Sequence, residues 1–150
     1  MNARRVLRTT LITLGSIVGL FLLMQLVPYG RTHSNPPTIK EPNWDSPRTR
    51  ELAKRACFDC HSNETHWPWY ADVAPFSWVV QYDVEVAREI INFSEWHGVY
   101  PLAHYSGLSV RTGSMPPPKY KVAHPEADLT AQELEELSRG LDRTLQTPRP

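Results

Sequence analysis

Cysteine is scarce in this sequence, which contains only Cys57 and Cys60 among its 150 residues. A zinc site built from two cysteine pairs is therefore excluded, and the six histidines do not supply the paired spacing of a zinc finger. No block of lysine or arginine occurs beyond the N-terminus, which argues against nucleic acid as a partner because phosphate binding needs clustered cations. Internal repeats and convincing strand patterns are also missing, so the sequence predicts an all-α fold with long loops.

Acidic residues are missing from the first 31 positions, which carry four arginines: Arg4, Arg5, Arg8 and Arg31. The stretch from Thr9 to Pro28 has no charge over 20 residues, about the length of one membrane-crossing helix. Because three of the arginines precede this stretch, the positive-inside rule keeps the N-terminus in the cytoplasm and places the rest of the chain across the membrane. A cleaved signal peptide is the alternative, but no small-x-small cleavage site follows the apolar run.

Helix signals follow a proline-rich linker over residues 29–44. A helix is predicted to begin here and to end at the cysteines, with Ser46 as its N-cap and Pro47 at its first position. A second helix is indicated by an apolar stripe with helical spacing: Val79, Tyr82, Val86, Ile90 and Phe93. The last helix begins with a capping box and carries a leucine stripe; the box pairs Thr130 with Glu133, and the stripe is Leu134, Leu137, Leu141 and Leu145.

The two cysteines stand in the stretch Cys57-Phe58-Asp59-Cys60-His61, a pattern that three kinds of chemistry use. A thiol–disulfide pair places its first thiolate at a helix N-terminus, whereas this motif is predicted at the other end of a helix and no βαβ pattern surrounds it. A zinc site lacks its second pair of ligands. The spacing C-x-x-C-H is the signature of c-type haem attachment, in which the thiols bond the haem edge and the histidine binds the iron. We therefore expect one haem c per chain, covalently attached at Cys57 and Cys60, with His61 as an iron ligand.

Methionine is an established partner of histidine on the iron of electron-carrying cytochromes. Of the three methionines, Met1 starts the chain and Met24 lies in the apolar segment, which leaves Met115. Three prolines follow Met115 and restrict the backbone, so the sulfur can be held over the iron. The alternative role of Met115 is to fill a gap in the core. Four histidines are rival ligands, each expected instead at the surface or in a hydrogen bond: His66, His97, His104 and His124.

Many short segments of the chain, in order, resemble the membrane-anchored haem-binding domain family of bacteria, which is related to monohaem c-type cytochromes. The resemblance runs from about Gln25 to about Leu145 and rests on QLVPYGR, NPP, CFDCHSNET, WPWY, APFSWVVQ, NFSEW, MPPPKY and HPEADLT. It implies covalent haem at Cys57 and Cys60, His61 as axial ligand and Met115 as second ligand. The order of parts is similar to that of a small cytochrome c: a leading helix, the attachment motif, a middle helix, a methionine loop and a closing helix.

These expectations divide the chain into four segments: a cytoplasmic N-terminus (1–8), a transmembrane anchor (9–28), a linker (29–44) and a cytochrome c-like haem-binding domain (45–147). The aromatic residues behind the motif are expected to wall the haem pocket: Trp67, Trp69, Tyr70 and Trp78. The predicted protein is not an enzyme but a single-pass protein of the bacterial inner membrane that passes single electrons in the periplasm. A haem-based gas or redox sensor, a weak peroxidase with a labile sixth ligand, and a haem-free thiol–disulfide domain are the alternatives.

The charge of the chain indicates the kind of redox partner to expect. Formal net charge is zero, but residues 32–150 carry 12 basic and 16 acidic side chains, a net of −4. Together with the haem propionates, this charge predicts a partner protein with a basic patch, whose encounter salt should slow.

Overall fold

The computed structural model describes residues 3–98 and 100–145, and these residues divide into two compact units. One unit contains residues 3–33 and 68–82, and the other contains residues 34–67, 83–98 and 100–145. The described residues form no strand and only one isolated bridge, between Lys40 and Glu95, so the all-α prediction is confirmed. The helices are α1 (Ala3–Met24), α2 (Pro47–Ala56), α3 (Phe58–His61), α4 (Phe76–Ile90), α5 (Ser106–Arg111), α6 (Pro118–Ala123) and α7 (Ala131–Thr144).

The first unit is built on α1, a 22-residue helix with no buried residue. The helix is long enough and apolar enough to cross a membrane. A signal sequence near an N-terminus has the same properties. Beyond the helix, Gly30 adopts a left-handed φ of 83° and lies against the backbone carbonyl of Ser77, where a Cβ atom would clash. Glycine is therefore required at this turn.

The core of the second unit lies between α2 and α7. Leu52 and Ala53 of α2 are fully buried, and they share one apolar cluster with Leu137 and Leu141 of α7. The two helices approach closely at Gly140, where a Cβ atom would collide with the side chain of Thr49. The caps predicted from the sequence are present: the Ser46 side chain accepts the amide of Thr49, and Thr130 and Glu133 form a capping box.

The middle helix α4 is present, but the predicted stripe does not mark its buried face. Val79, Tyr82 and Ile90 are exposed, whereas Phe93, which lies beyond the end of the helix, is buried. The buried side is instead formed by Val84, Ala87 and Ile91, which have the same helical spacing but are smaller on average. The apolar period therefore identifies the helix without identifying the side that packs.

The segment before α2 is extended and tied to the second unit. The amide of Ile39 donates to the carbonyl of Ser94 at 2.8 Å. Trp44 packs its ring against Phe93, with ring centroids 5.3 Å apart. Residues 34–44 thus belong to the packed unit that carries the attachment motif.

Candidate haem-attachment site

The attachment motif forms a tight turn between two helices. Helix α2 ends at Ala56, Cys57 is its C-cap, and the four-residue helix α3 then carries Cys60 and His61. The amides of Cys60 and His61 both donate to the carbonyl of Cys57, at 3.2 and 2.9 Å. This turn places Cys57, Cys60 and His61 on one short, hydrogen-bonded stretch of backbone.

A buried aromatic residue inside the motif holds this turn on the core. The Phe58 side chain is only 2% exposed, and its ring stacks on Phe93 with centroids 5.7 Å apart. Trp44 lies on the same cluster, 6.1 Å from Phe58. The packing of Phe58 therefore anchors the backbone of the motif on the core, between Cys57 and Cys60.

Both thiols are free and half-buried. Burial, with a smaller contribution from Cys60, raises the pKa of Cys57 to about 12. Burial, together with the carboxylates of Asp59 and Asp83, raises the pKa of Cys60 to about 11. Reactive redox cysteines have a lowered pKa, so these surroundings disfavour the thiol–disulfide alternative.

The imidazole of His61 is held in the tautomer that a metal ligand needs. Its Nδ1 lies 3.1 Å from the carbonyl oxygen of Ala87 and 3.1 Å from that of Ile91. Because both neighbours can only accept, Nδ1 must carry the proton, which leaves the lone pair on Nε2. Burial lowers the pKa of His61, while the two carbonyls oppose that shift, so the ring is neutral at neutral pH.

The end of α4 supplies these acceptors. The helix ends at Ile90; the carbonyl of Ala87 also accepts the amide of Ile91 at 2.9 Å, and the carbonyl of Ile91 lies just beyond the last turn. The negative end of the helix dipole also favours an N–H donor at this position. A histidine that donates its second nitrogen to a backbone carbonyl is the usual arrangement around a metal-bound imidazole.

A buried polar network fixes the chain immediately after His61. The carbonyl of His61 accepts the amide of Phe93 at 2.8 Å. The side chain of Asn92 donates to Asn63 Oδ1 at 2.9 Å, and Ser94 Oγ accepts the amide of Asn63 at 2.9 Å. All three of these hydrogen bonds connect the chain at or just after the motif to the loop behind α4, so the motif and the acceptors of His61 are joined by one polar network.

Met115 lies in the turn that follows α5. Its amide donates to the carbonyl of Ser109 at 3.1 Å, and its side chain is 40% exposed. Helix α6 begins three residues later, and the connection from Met115 to the motif runs through this helix. Lys119 Nζ lies 2.7 Å from Asp83 Oδ2, and the hydroxyl of Tyr120 donates to Asp59 Oδ2 at 2.5 Å.

The carboxylate of Asp59, between the two cysteines, joins several segments. It accepts the amide of His66 at 2.9 Å in addition to the hydroxyl of Tyr120. The ring of His124 stacks on Tyr120 with centroids 4.1 Å apart, and its Nδ1 lies 4.0 Å from Asp59. Burial and the bond to Asp59 raise the pKa of Tyr120, so its hydroxyl stays protonated and donates. This cluster was missed at the level of sequence, because nothing local connects residues 59, 120 and 124.

The remaining expectations have mixed outcomes. His66, His97 and His104 are exposed, and the latter two rings pack on tyrosines, Tyr100 and Tyr105. The side chain of Trp69 is 79% exposed, and the expectation that the aromatic residues behind the motif wall the haem pocket stays a prediction.

The residues present suit a haem. Two thiols and a neutral imidazole with a free Nε2 are the donor set that C-x-x-C-H attachment requires.

Comparison with known proteins agrees with this donor set. Neither the curated proteins nor the solved structures give a significant match. The profile of the family described as "Haem-binding domain" matches residues 19–143, which include the motif, Met115 and nearly all of α7. With most of its length matched, the chain belongs to the haem-binding domain family.

Proposed function

We propose that the protein is a membrane-anchored monohaem cytochrome that passes single electrons on the periplasmic side of a bacterial inner membrane. Membership of the haem-binding domain family supports the cofactor. The motif supports a c-type haem, with one thioether bond to each of Cys57 and Cys60. In this proposal the protein is not itself an enzyme.

The observation that carries the proposal is the double hydrogen bond of His61 Nδ1 to the carbonyls of Ala87 and Ile91. It fixes both the tautomer and the direction of the ring, so Nε2 is available to an iron atom. A histidine that served only the core would not need its second nitrogen free.

The other residues have separate roles in binding and tuning. Met115 is the proposed second iron ligand, brought towards the motif by the attachment of α6 to Asp83 and Asp59. Phe58 and Phe93 keep water away from the side of the motif that packs on the core. Haem iron, when bound, takes up and releases one electron, with a potential that the ligands and the dielectric set.

The proposed anchor is α1. Its uncharged part, Thr9–Met24, extends over about 24 Å at the usual helical rise, and the uncharged residues 25–28 lengthen the apolar span towards the thickness of a bilayer core. The arginines at positions 4, 5 and 8 would keep its start on the cytoplasmic side. The soluble part, with its net charge of −4, would then meet a redox partner that carries a basic patch.

The test begins with full-length protein, made in a host competent for cytochrome c maturation and purified in detergent. We expect haem to remain with the denatured chain on a gel, and to be lost from a Cys57→Ala, Cys60→Ala double variant. Haem that still migrates with the denatured double variant would refute attachment at these cysteines.

Absorption spectra then test the second ligand. We expect a low-spin, six-coordinate reduced spectrum that carbon monoxide leaves unchanged. Met115→Ala should open the sixth position and allow carbon monoxide to bind, whereas Val122→Ala, at another exposed apolar residue of the same unit, should not. Rapid binding of carbon monoxide by the unaltered protein would instead favour the sensor or peroxidase alternative, which the exposure of Met115 keeps open.

A further inference from the structure

Residues 69–77 pack directly onto the end of the apolar helix α1. The side-chain amide of Gln25, one residue past the helix, donates to the carbonyl of Ala74 at 2.9 Å and accepts the amide of Ala74 at 3.1 Å. His33 Nε2 lies 3.2 Å from the carbonyl of Ala71, and Gly30 lies against Ser77. All these residues belong to the first unit, so this packing is internal to one compact structure.

The depth of this segment follows from the uncharged stretch that begins after Arg8. The helical part of this stretch, Thr9–Met24, covers about 24 Å of a hydrocarbon core of about 30 Å, and the uncharged residues 25–28 carry the chain to the edge of the core. Gln25 would then lie just inside that edge, and Ala74 would lie beside it, because the two residues share two hydrogen bonds.

The segment exposes aromatic side chains at this level. Trp69 is 79% exposed, Phe76 is 60% exposed and Tyr29, just past α1, is 41% exposed. Tyr70 lies between Trp69 and Phe76, with ring centroids 5.9 and 6.5 Å away. We refer to Tyr29, Trp69, Tyr70 and Phe76 as the aromatic cluster.

Large exposed aromatic residues cost a protein free energy in water but are favoured at the boundary of a bilayer. There the flat apolar ring enters the acyl region, and its polar edge remains hydrated. The neighbouring charges fit the same location. Arg31 hydrogen-bonds to Gln25 and can reach lipid phosphates, while the carboxylate of Asp72 is paired with His33 at 3.7 Å.

We infer that the aromatic cluster inserts into the headgroup layer on the exported face, so that residues 69–77 form a second membrane contact beside α1. This inference rests on the proposed membrane anchor. Lipid, rather than a second protein, covers the exposed aromatic side chains. Its basis is the continuity of the cluster with the end of the membrane helix.

Photo-crosslinking in vesicles tests the contact. The photoreactive residue p-benzoylphenylalanine replaces Trp69 or Phe76 in the full-length, haem-loaded protein, reconstituted in vesicles of phosphatidylcholine and phosphatidylglycerol. Leu14, in the middle of α1, is the positive control, and Val122, an exposed apolar residue of the other unit, is the negative control. Lipid adducts are counted by mass spectrometry after illumination, and each variant must retain the unaltered haem spectrum.

We expect lipid adducts at positions 69 and 76 in a yield close to that at position 14 and well above that at position 122. Adducts at position 14 with only background at 69 and 76 would overturn the inference and leave the anchor intact. Background at position 14 as well would overturn the anchor, and the second contact with it. Adducts at 69 and 76 to another copy of the protein, rather than to lipid, would also overturn the inference.

Discussion

Removing the Tyr120 hydroxyl should loosen the loop that carries Met115. In the structure this hydroxyl donates to Asp59 at 2.5 Å, and the carboxylate is only 23% exposed. It is the contact that joins α6 directly to the attachment motif, so Tyr120→Phe removes one hydroxyl and leaves the stacked ring in place. We expect the loop to open more often while the rest of the fold is retained.

The size of the effect follows from the charge of the acceptor. A hydrogen bond to a charged group contributes roughly 1.5–3 kcal/mol, and the partial exposure of Asp59 favours the lower end of that range. A loss of about 1.5 kcal/mol corresponds to about a tenfold rise in the open population, since every 1.4 kcal/mol is a factor of ten. The salt bridge between Lys119 and Asp83 remains, so the opening is increased rather than made complete.

Hydrogen exchange over residues 115–123, in the haem-loaded protein, measures this opening. Tyr120→Phe should speed exchange of this segment about tenfold and should increase the rate of carbon monoxide binding, with little change over α7. Asp59→Asn keeps an acceptor oxygen and should have a smaller effect than Asp59→Ala. The matched control is Tyr105→Phe at a half-exposed tyrosine of the same unit, which should change neither rate. Unchanged exchange in Tyr120→Phe would refute the idea that this bond holds the loop.

Two further predictions concern the stability of the second unit. Phe58→Ala should destabilise the fold by about 3–5 kcal/mol, because it leaves a cavity under the motif. Chemical denaturation measures this loss of stability. A loss no larger than that caused by Val122→Ala, at an exposed residue, would contradict the prediction. A backbone hydrogen bond from Thr130, together with Arg55, lowers the pKa of Glu133 from 4.5 to about 2. The carboxylate therefore stabilises the folded state above pH 4.5, and this contribution is lost as the pH falls towards 2. Glu133→Gln should therefore flatten the dependence of the unfolding free energy on pH in that window, and an unaltered slope would show that Glu133 contributes nothing to it.

The features that were predictable from the sequence are those that short segments determine. The capping box of Thr130 and Glu133 and the N-cap of Ser46 each involve residues within three positions, and both are present. The attachment motif is equally local, since its spacing follows from the size of the haem edge. Such patterns identify helices and a cofactor without any knowledge of packing.

The features that were not predictable depend on contacts between distant parts of the chain. Tyr120 and Asp59 are 61 positions apart, and His61 meets Ala87 across 26 positions. The apolar stripe correctly predicted helix α4 but could not show which side of it packs, because an apolar stripe can face a ligand or a membrane as well as a core.

The pairing of α2 with α7 has a consequence for biogenesis. Asp45, just before α2, accepts the guanidinium of Arg143 at 2.7 Å, and its amide bonds to Thr144, 99 positions away. A contact of that separation forms only after the whole intervening chain is present, so the core of the unit is completed late. Under the proposed export, translocation therefore delivers Cys57 and Cys60 long before the helix that completes the core. During that interval the thiols lie on an open chain, accessible to the machinery that attaches haem.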